Sequence, residues 1–148
     1  MIRRATALPI ARFTRESDEV RRSFPAMKKI KTAEQIVCGI IARDRRYAFD
    51  AYQFVLETLD YTYRMVKKRR HVTGRELLEG ARRYALERYG PMARTVLEHW
   101  GIRRCEDVGE VVFNLVDNGL LNRTEKDSRD DFKGGFDFKE AFDRVFDG

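Results

Sequence analysis

Beyond residue 32 the chain places apolar side chains at three- and four-residue steps, the period of helices that bury one stripe. Thr32 stands where it can cap the first helix, whose inner face is Ile36, Val37, Ile40 and Ile41. After the charged break Arg43-Asp44-Arg45-Arg46, a longer helix aligns Tyr52, Val55, Leu56, Leu59, Tyr63 and Val66. It closes in Lys67-Lys68-Arg69-Arg70, cations that suit the negative end of a helix dipole. Thr73 and Glu76 have the spacing of a capping box, opening a third helix that buries Leu77, Leu78, Ala81, Tyr84 and Ala85. Gly90-Pro91 ends that helix and starts a fourth, with Met92, Val96, Leu97 and Trp100 turned inward. A fifth, between Gly101 and Gly119, presents Val108, Val111, Val112, Leu115 and Val116.

The two ends read differently. Residues 1–26 show neither period and contain Pro9 and Pro25, so they are expected to form a disordered leader, with translation starting at Met27 as the sharper version. Residues 27–148 are expected to form a single helical domain. Toward the C-terminus, Gly134-Gly135 interrupts the chain, and Asp137 to Glu140 looks like the cap and first turn of a short helix carrying Phe138, Ala141, Phe142, Val145 and Phe146. That many aromatics should fold back onto the body. The expected fold is all-α or mostly α: five to six short helices around one core, with room for a small wing-like ribbon of two strands near the C-terminus.

Composition adds boundaries to this picture. The chain has 148 residues, of which 43% are hydrophobic, enough for one domain with a core. Its apolar stretches, such as Ile36 to Ala42, fall far short of the ~18 residues of a membrane span. Ala7 to Ala11 is too short for the core of a signal peptide. A cytoplasmic location without membrane association is the default expectation. Cys38 and Cys105 form no C-x-x-C pair and lie in apolar surroundings, which predicts buried, inert thiols. The net charge of +6 points toward anionic partners, but six arginines against three acids in residues 1–26 supply half of it. The remainder carries 24 basic and 21 acidic residues, and the stretch from Glu125 onward is acidic.

Several spaced motifs stand out: R-Y-A-F-D-A-Y-Q-F-V, H-V-T-G-R-E-L-L, Y-G-P-M-A-R-T-V-L-E-H-W-G-I, D-V-G-E-V-V-F-N-L-V-D-N-G-L-L and D-S-R-D-D-F-K-G-G-F-D-F-K-E-A-F. Together they resemble a small bacterial protein family, a domain of unknown function, over about residues 45–146. The resemblance implies a single domain starting near the first helices. It carries no functional residue over.

A helix-turn-helix formed by the fourth and fifth helices, with 121–123 and 136–138 as wing strands, would use the fifth helix to read DNA. Its outer positions include Asp107, Glu110 and Asp117, which would meet phosphates with like charge. The basic clusters Arg43, Arg45, Arg46 and Lys67, Lys68, Arg69, Arg70 are the candidate nucleic-acid or phosphate contacts. Some twenty residues at ~1.5 Å rise set them roughly 30 Å apart along the long helix. His71, His99 and Cys105 lack the spacing and the fourth ligand of a zinc site. Asp127, Asp130, Asp131 and Asp137 break the calcium-loop pattern, with Arg129 and Phe132 where oxygen and glycine are needed. They read as caps and solvated charge. Tyr47, Phe49, Tyr52, Phe54, Tyr61 and Tyr63 exceed what one face of the long helix can bury, and Phe49 and Phe54 fall partly off its stripe. Either that helix is packed on two sides, or Tyr47, Phe49 and Phe54 form a partner surface.

No phosphate loop or nucleophile elbow is written in the chain. The expectation is therefore a non-enzymatic helical interaction or regulatory module without cofactor or metal, binding another protein or itself as a homodimer. The alternative is a nucleic-acid-associated protein on a winged-helix-like scaffold.

Overall fold

The computed structural model describes residues 3–4, 32–66, 72–123 and 128–143. The fold is mostly α. Helix α1 (Ala33–Arg43) opens on a full capping box, in which the Thr32 hydroxyl accepts from Gln35 N at 3.1 Å and the Gln35 side chain returns the bond to Thr32 N at 2.9 Å. Helix α2 (Phe49–Val66) is the longest, and α3 (Gly74–Tyr89) starts from the same device built on Thr73 and Glu76. Gly90, at φ 52°, ends α3 in a conformation that disfavours a side chain. A single 3-10 turn (Gly90–Met92) leads into α4 (Ala93–His99), and α5 (Cys105–Asp117) follows.

Helix α2 lies at the centre. Ala51, Tyr52, Phe54, Val55, Leu56, Thr58, Leu59 and Thr62 are all buried along it, more than one stripe of a helix can supply. Its second half crosses α3 so closely that a Cβ on Gly80 would run into the Thr62 hydroxyl. Tyr52 and Tyr47 face α5, whereas Phe54 faces α3 and α4. Two-sided packing therefore absorbs the surplus of aromatics.

After Gly119, Leu121–Asn122 (β2) pairs antiparallel with Arg3–Arg4 (β1), in register Arg3 to Asn122 and Arg4 to Leu121. The expected wing partner, 136–138, does not pair. Phe136 and Phe138 instead pack face to face at 5.6 Å and meet Phe142 edge-on at 5.8 and 5.0 Å. Burying three rings in one cluster outweighs a short ladder of hydrogen bonds. The rest of the leader, including the boundary at Met27, lies outside the described residues, as do Val145 and Phe146.

The C-terminal segment does fold back. Ser128 caps a 3-10 turn (Arg129–Phe132), and Asp137 caps a one-turn π segment (Lys139–Asp143) with a 3.2 Å bond from Glu140 N. Phe132 drops between α3 and α5, where Gly74 and Gly109 leave space for its ring. A Cβ on Gly109 would stand 2.8 Å from that ring.

Two expected core positions are corrected. Met92 is 55% exposed, because the tighter turn before α4 rotates it off the inner stripe. Cys38 is exposed, lying off the Val37 and Ile40 face of α1, whereas Cys105 is buried as expected. The Cys105 thiol donates to the Phe136 carbonyl at 3.4 Å, and burial pushes its pKa up to about 11. No helix among the described residues is long and apolar enough to cross a membrane.

Candidate functional site

The turn between α1 and α2 is organised by one carboxylate. Asp44 accepts from Arg46 N at 3.1 Å and Nε at 2.9 Å with one oxygen, and from the Arg46 guanidinium at 2.7 Å with the other. This pairing folds the charged break back on itself and holds the Asp44 carboxyl well below the usual carboxylate range, against the opposing effect of partial burial. Arg46 reaches on to Glu110 at 3.3 Å, and Glu110 binds Arg129 at 3.2 Å. Arg43 donates to the Asn118 side chain at 2.6 Å. Asn114 donates to the Tyr52 hydroxyl at 3.0 Å and to Asp44 at 3.2 Å. The Tyr47 hydroxyl donates to Asp107 at 2.7 Å, and burial, then that carboxylate, raise its pKa.

These bonds cover the polar face of α5. Asp107, Glu110, Asn114 and Asn118, the positions that a recognition helix would turn to DNA, all accept from or donate to residues of this same chain. Asp107 additionally holds the start of its own helix, accepting from Arg103 N at 2.9 Å and Arg104 N at 3.2 Å.

The expected basic cluster is thereby divided. Arg43 and Arg46 are tied to α5. Arg45 is exposed and has no hydrogen-bond or ion-pair partner among the described residues. It borders an open groove of about 720 Å³ between α1, the α1–α2 turn and the end of α4, together with Arg103, His99, Trp100 and Cys38. The groove exists because Gly101 lets two segments touch. Its φ of 98° and the Arg46 carbonyl pressed against it leave no place for a side chain. Ala48 N then donates to the Trp100 carbonyl at 3.0 Å, locking the turn to the helix end. The Arg103 guanidinium, like that of Arg45, has no partner among the described residues.

Trp100 also forms the wall of a second depression, of about 210 Å³, between α2, α3 and α4. Phe54 is its floor, 6.1 Å from Trp100 and 6.5 Å from Tyr89, and those two rings meet edge-on at 5.7 Å. Asp50, Gln53 and Glu57 rise along one stripe of α2 beside it. Glu57 accepts from the Tyr84 hydroxyl at 2.7 Å and from Gln53 at 3.2 Å. Burial, then this carboxylate, push the Tyr84 pKa up to about 12. Arg88 lies over both Tyr84 and Tyr89 at 5.9 Å from each ring centre.

The expected aromatic partner surface does not survive. Phe54 is 1% and Tyr47 3% exposed, and Phe49 is half-buried against the core. Phe54 and Tyr47 are consumed by the two-sided packing of α2, and Phe49 keeps part of its ring at the surface. Tyr84, Tyr89 and Trp100 are among the half-buried rings, along with Phe49, Tyr61, Tyr63 and Phe136. Tyr84 and Trp100 read as core from periodicity alone, and Tyr89 lies one turn past Ala85 on the same side of its helix. The available signal was local: aromatics interleaved with Arg88 just before the helix-ending glycines Gly90 and Gly101.

Lys67, Lys68, Arg69, Arg70, His71 and Asp127 lie outside the described residues. Among the described residues no group of three or more histidine, cysteine or acidic side chains could hold a metal ion. No family model, curated protein or solved structure matches the chain.

Proposed function

We propose that this chain is a non-enzymatic interaction module whose groove beside Trp100 engages an acidic segment of another protein. The carrying observation is the contrast among neighbouring arginines: Arg43 is hydrogen-bonded to Asn118 and Arg46 is ion-paired with Asp44 and Glu110, while the guanidinium groups of Arg45 and Arg103 border the groove with no partner among the described residues. Two free guanidinium forks on an open, partly apolar surface suit carboxylates, which they can grip in bidentate fashion. Glu98 in the same groove disfavours a continuous phosphate backbone, which gains affinity by neutralising many charges in a row.

The test uses the chain's single tryptophan, Trp100, as a reporter. An aspartate- and glutamate-rich peptide should change its fluorescence saturably, and the Arg45→Ala/Arg103→Ala variant should bind at least tenfold more weakly, about 1.4 kcal/mol. A peptide response indifferent to both substitutions would remove the reading.

The alternative, nucleic-acid association, draws on the same two arginines together with Lys67, Lys68, Arg69 and Arg70. Titration with an oligothymidylate separates the two: nucleic acid would bind with a steep inverse dependence on salt and outcompete the acidic peptide. Light scattering at two salt concentrations tests the remaining possibility, a homodimer.

A further inference from the structure

We propose that the depression on the far side of Trp100 is a receptor for a single cationic head group, guanidinium or ammonium, carried by the partner next to its acidic residues. The inference deepens the reading of the groove and rests on it only for the identity of the carrier.

Three observations converge. First, Asp50, Gln53, Phe54 and Glu57 occupy positions i, i+3, i+4 and i+7 of α2, so two carboxylates rise from one stripe around an apolar floor. Asp50 is exposed and has no partner among the described residues, which leaves its charge available. Second, the walls are the aromatic rings of Tyr89 and Trp100, set edge-on at 83° to each other. Ring faces attract cations, and the buried Phe54 beneath lowers the local dielectric, which strengthens the pull of the carboxylates. Third, the surface already holds a cation of its own, since the Arg88 guanidinium stands over Tyr84 and Tyr89. A guanidinium is therefore compatible with these rings, and an incoming one competes with Arg88 for them.

The charge pattern favours a cation. An anion would face Asp50 and Glu57, and a neutral apolar group would cover the Asp50 carboxylate without giving it a partner. Trp100 lines both depressions, so a segment whose acidic residues meet Arg45 and Arg103 lies against the wall that the two share. The partner signature is a basic residue beside acidic ones.

Fluorescence titration of Trp100 with Nα-acetyl-arginine methylamide tests the pocket, with the uncharged citrulline analogue as control. The arginine probe should bind with a dissociation constant on the order of 1 mM. The citrulline analogue should bind at least tenfold more weakly. Asp50→Asn should weaken the arginine probe severalfold, and Arg88→Ala should tighten it by releasing the rings. Equal responses to arginine and citrulline, or an Arg88→Ala variant that binds more weakly, would overturn the proposal. Thermal melts of both variants check that they fold.

A peptide joining the arginine to acidic residues identifies the source of the cation. Binding tenfold or more tighter than the free probe, lost in Arg45→Ala/Arg103→Ala, assigns the cation to a partner side chain. Equal binding by peptide and probe assigns it to a free small amine. If those arginine substitutions leave the peptide untouched while Asp50→Asn still weakens it, the groove reading fails and the pocket stands.

Discussion

The polar face of α5 and the surface around Trp100 draw on the same materials, arginine, carboxylate and aromatic ring, yet only the first is completed within the chain. On α5, most of the polar face meets a partner within the chain: Arg46 pairs with Asp44 and Glu110, Arg129 with Glu110, and Arg43 bonds to Asn118. Phe113 adds its ring to this layer, with Arg129 and Arg123 over it at 5.0 and 5.4 Å. Around Trp100 the same residue types are left with Arg45, Arg103 and Asp50 unpaired among the described residues. The difference teaches that charge content does not mark a binding face. What marks it is charge the fold leaves unspent.

The comparison can be broken most forcefully from the covered side. Phe132→Ala should remove the ring that fills the space between Gly74 and Gly109 and cost about 3–5 kcal/mol, read as a lower denaturant midpoint. A loss below about 1 kcal/mol would mean the C-terminal segment is not part of the cooperative unit.

Asn114→Ala should cost about 1–3 kcal/mol, because the Tyr52 hydroxyl loses its donor in a fully buried setting. Chemical denaturation of Asn114→Ala beside Tyr52→Phe and the double variant would show the two effects to be non-additive.

Alkaline pH should separate the two regions in sequence. Cys105, at the start of α5, and Tyr84, beside the aromatic pocket, are both held protonated by the fold, so their stabilisation is complete below their ordinary values of 9.0 and 10.0. Above those values the unfolded chain ionises first. Stability then falls until the folded values of about 11 and about 12 are reached. In Cys105→Ala the decline that begins near pH 9 should vanish, leaving the later tyrosine limb; thermal melts from pH 7 to 11 would show it.

The smallest effect on stability sharpens the contrast. Arg45→Ala and Arg103→Ala should each lie within about 0.5 kcal/mol of the parent, since no partner among the described residues is lost. Arg46→Ala should exceed both, because it strips Asp44 of its cation and leaves Glu110 with Arg129 alone.

Much of the fold was legible because its signals are local. The cap at Thr32, the capping box at Thr73 and the glycines at 90, 101 and 119 each act within one helical turn, and the structure places them where the spacing put them. The site was legible only in part. The Arg43–Arg46 cluster could be seen, but its division could not, because Arg43 is tied to a residue 75 positions away and Arg46 to one 64 positions away. Phe54 and Tyr47 misled for the same reason. Surplus aromatics on a helix become core or surface according to what arrives on the second side.

The sequence by itself determined that the chain is built of helices, roughly where they lie and most of the stripe each one hides, since hydrogen bonding along a helix and the burial of every third or fourth residue need only near neighbours. Tertiary structure alone decided that Arg3–Arg4 completes the ribbon, that Phe132 fits against two glycines, and that Arg45 and Arg103 are left over beside Trp100. Those outcomes depend on which distant groups meet and neutralise one another, and pairing across space has no period along the chain.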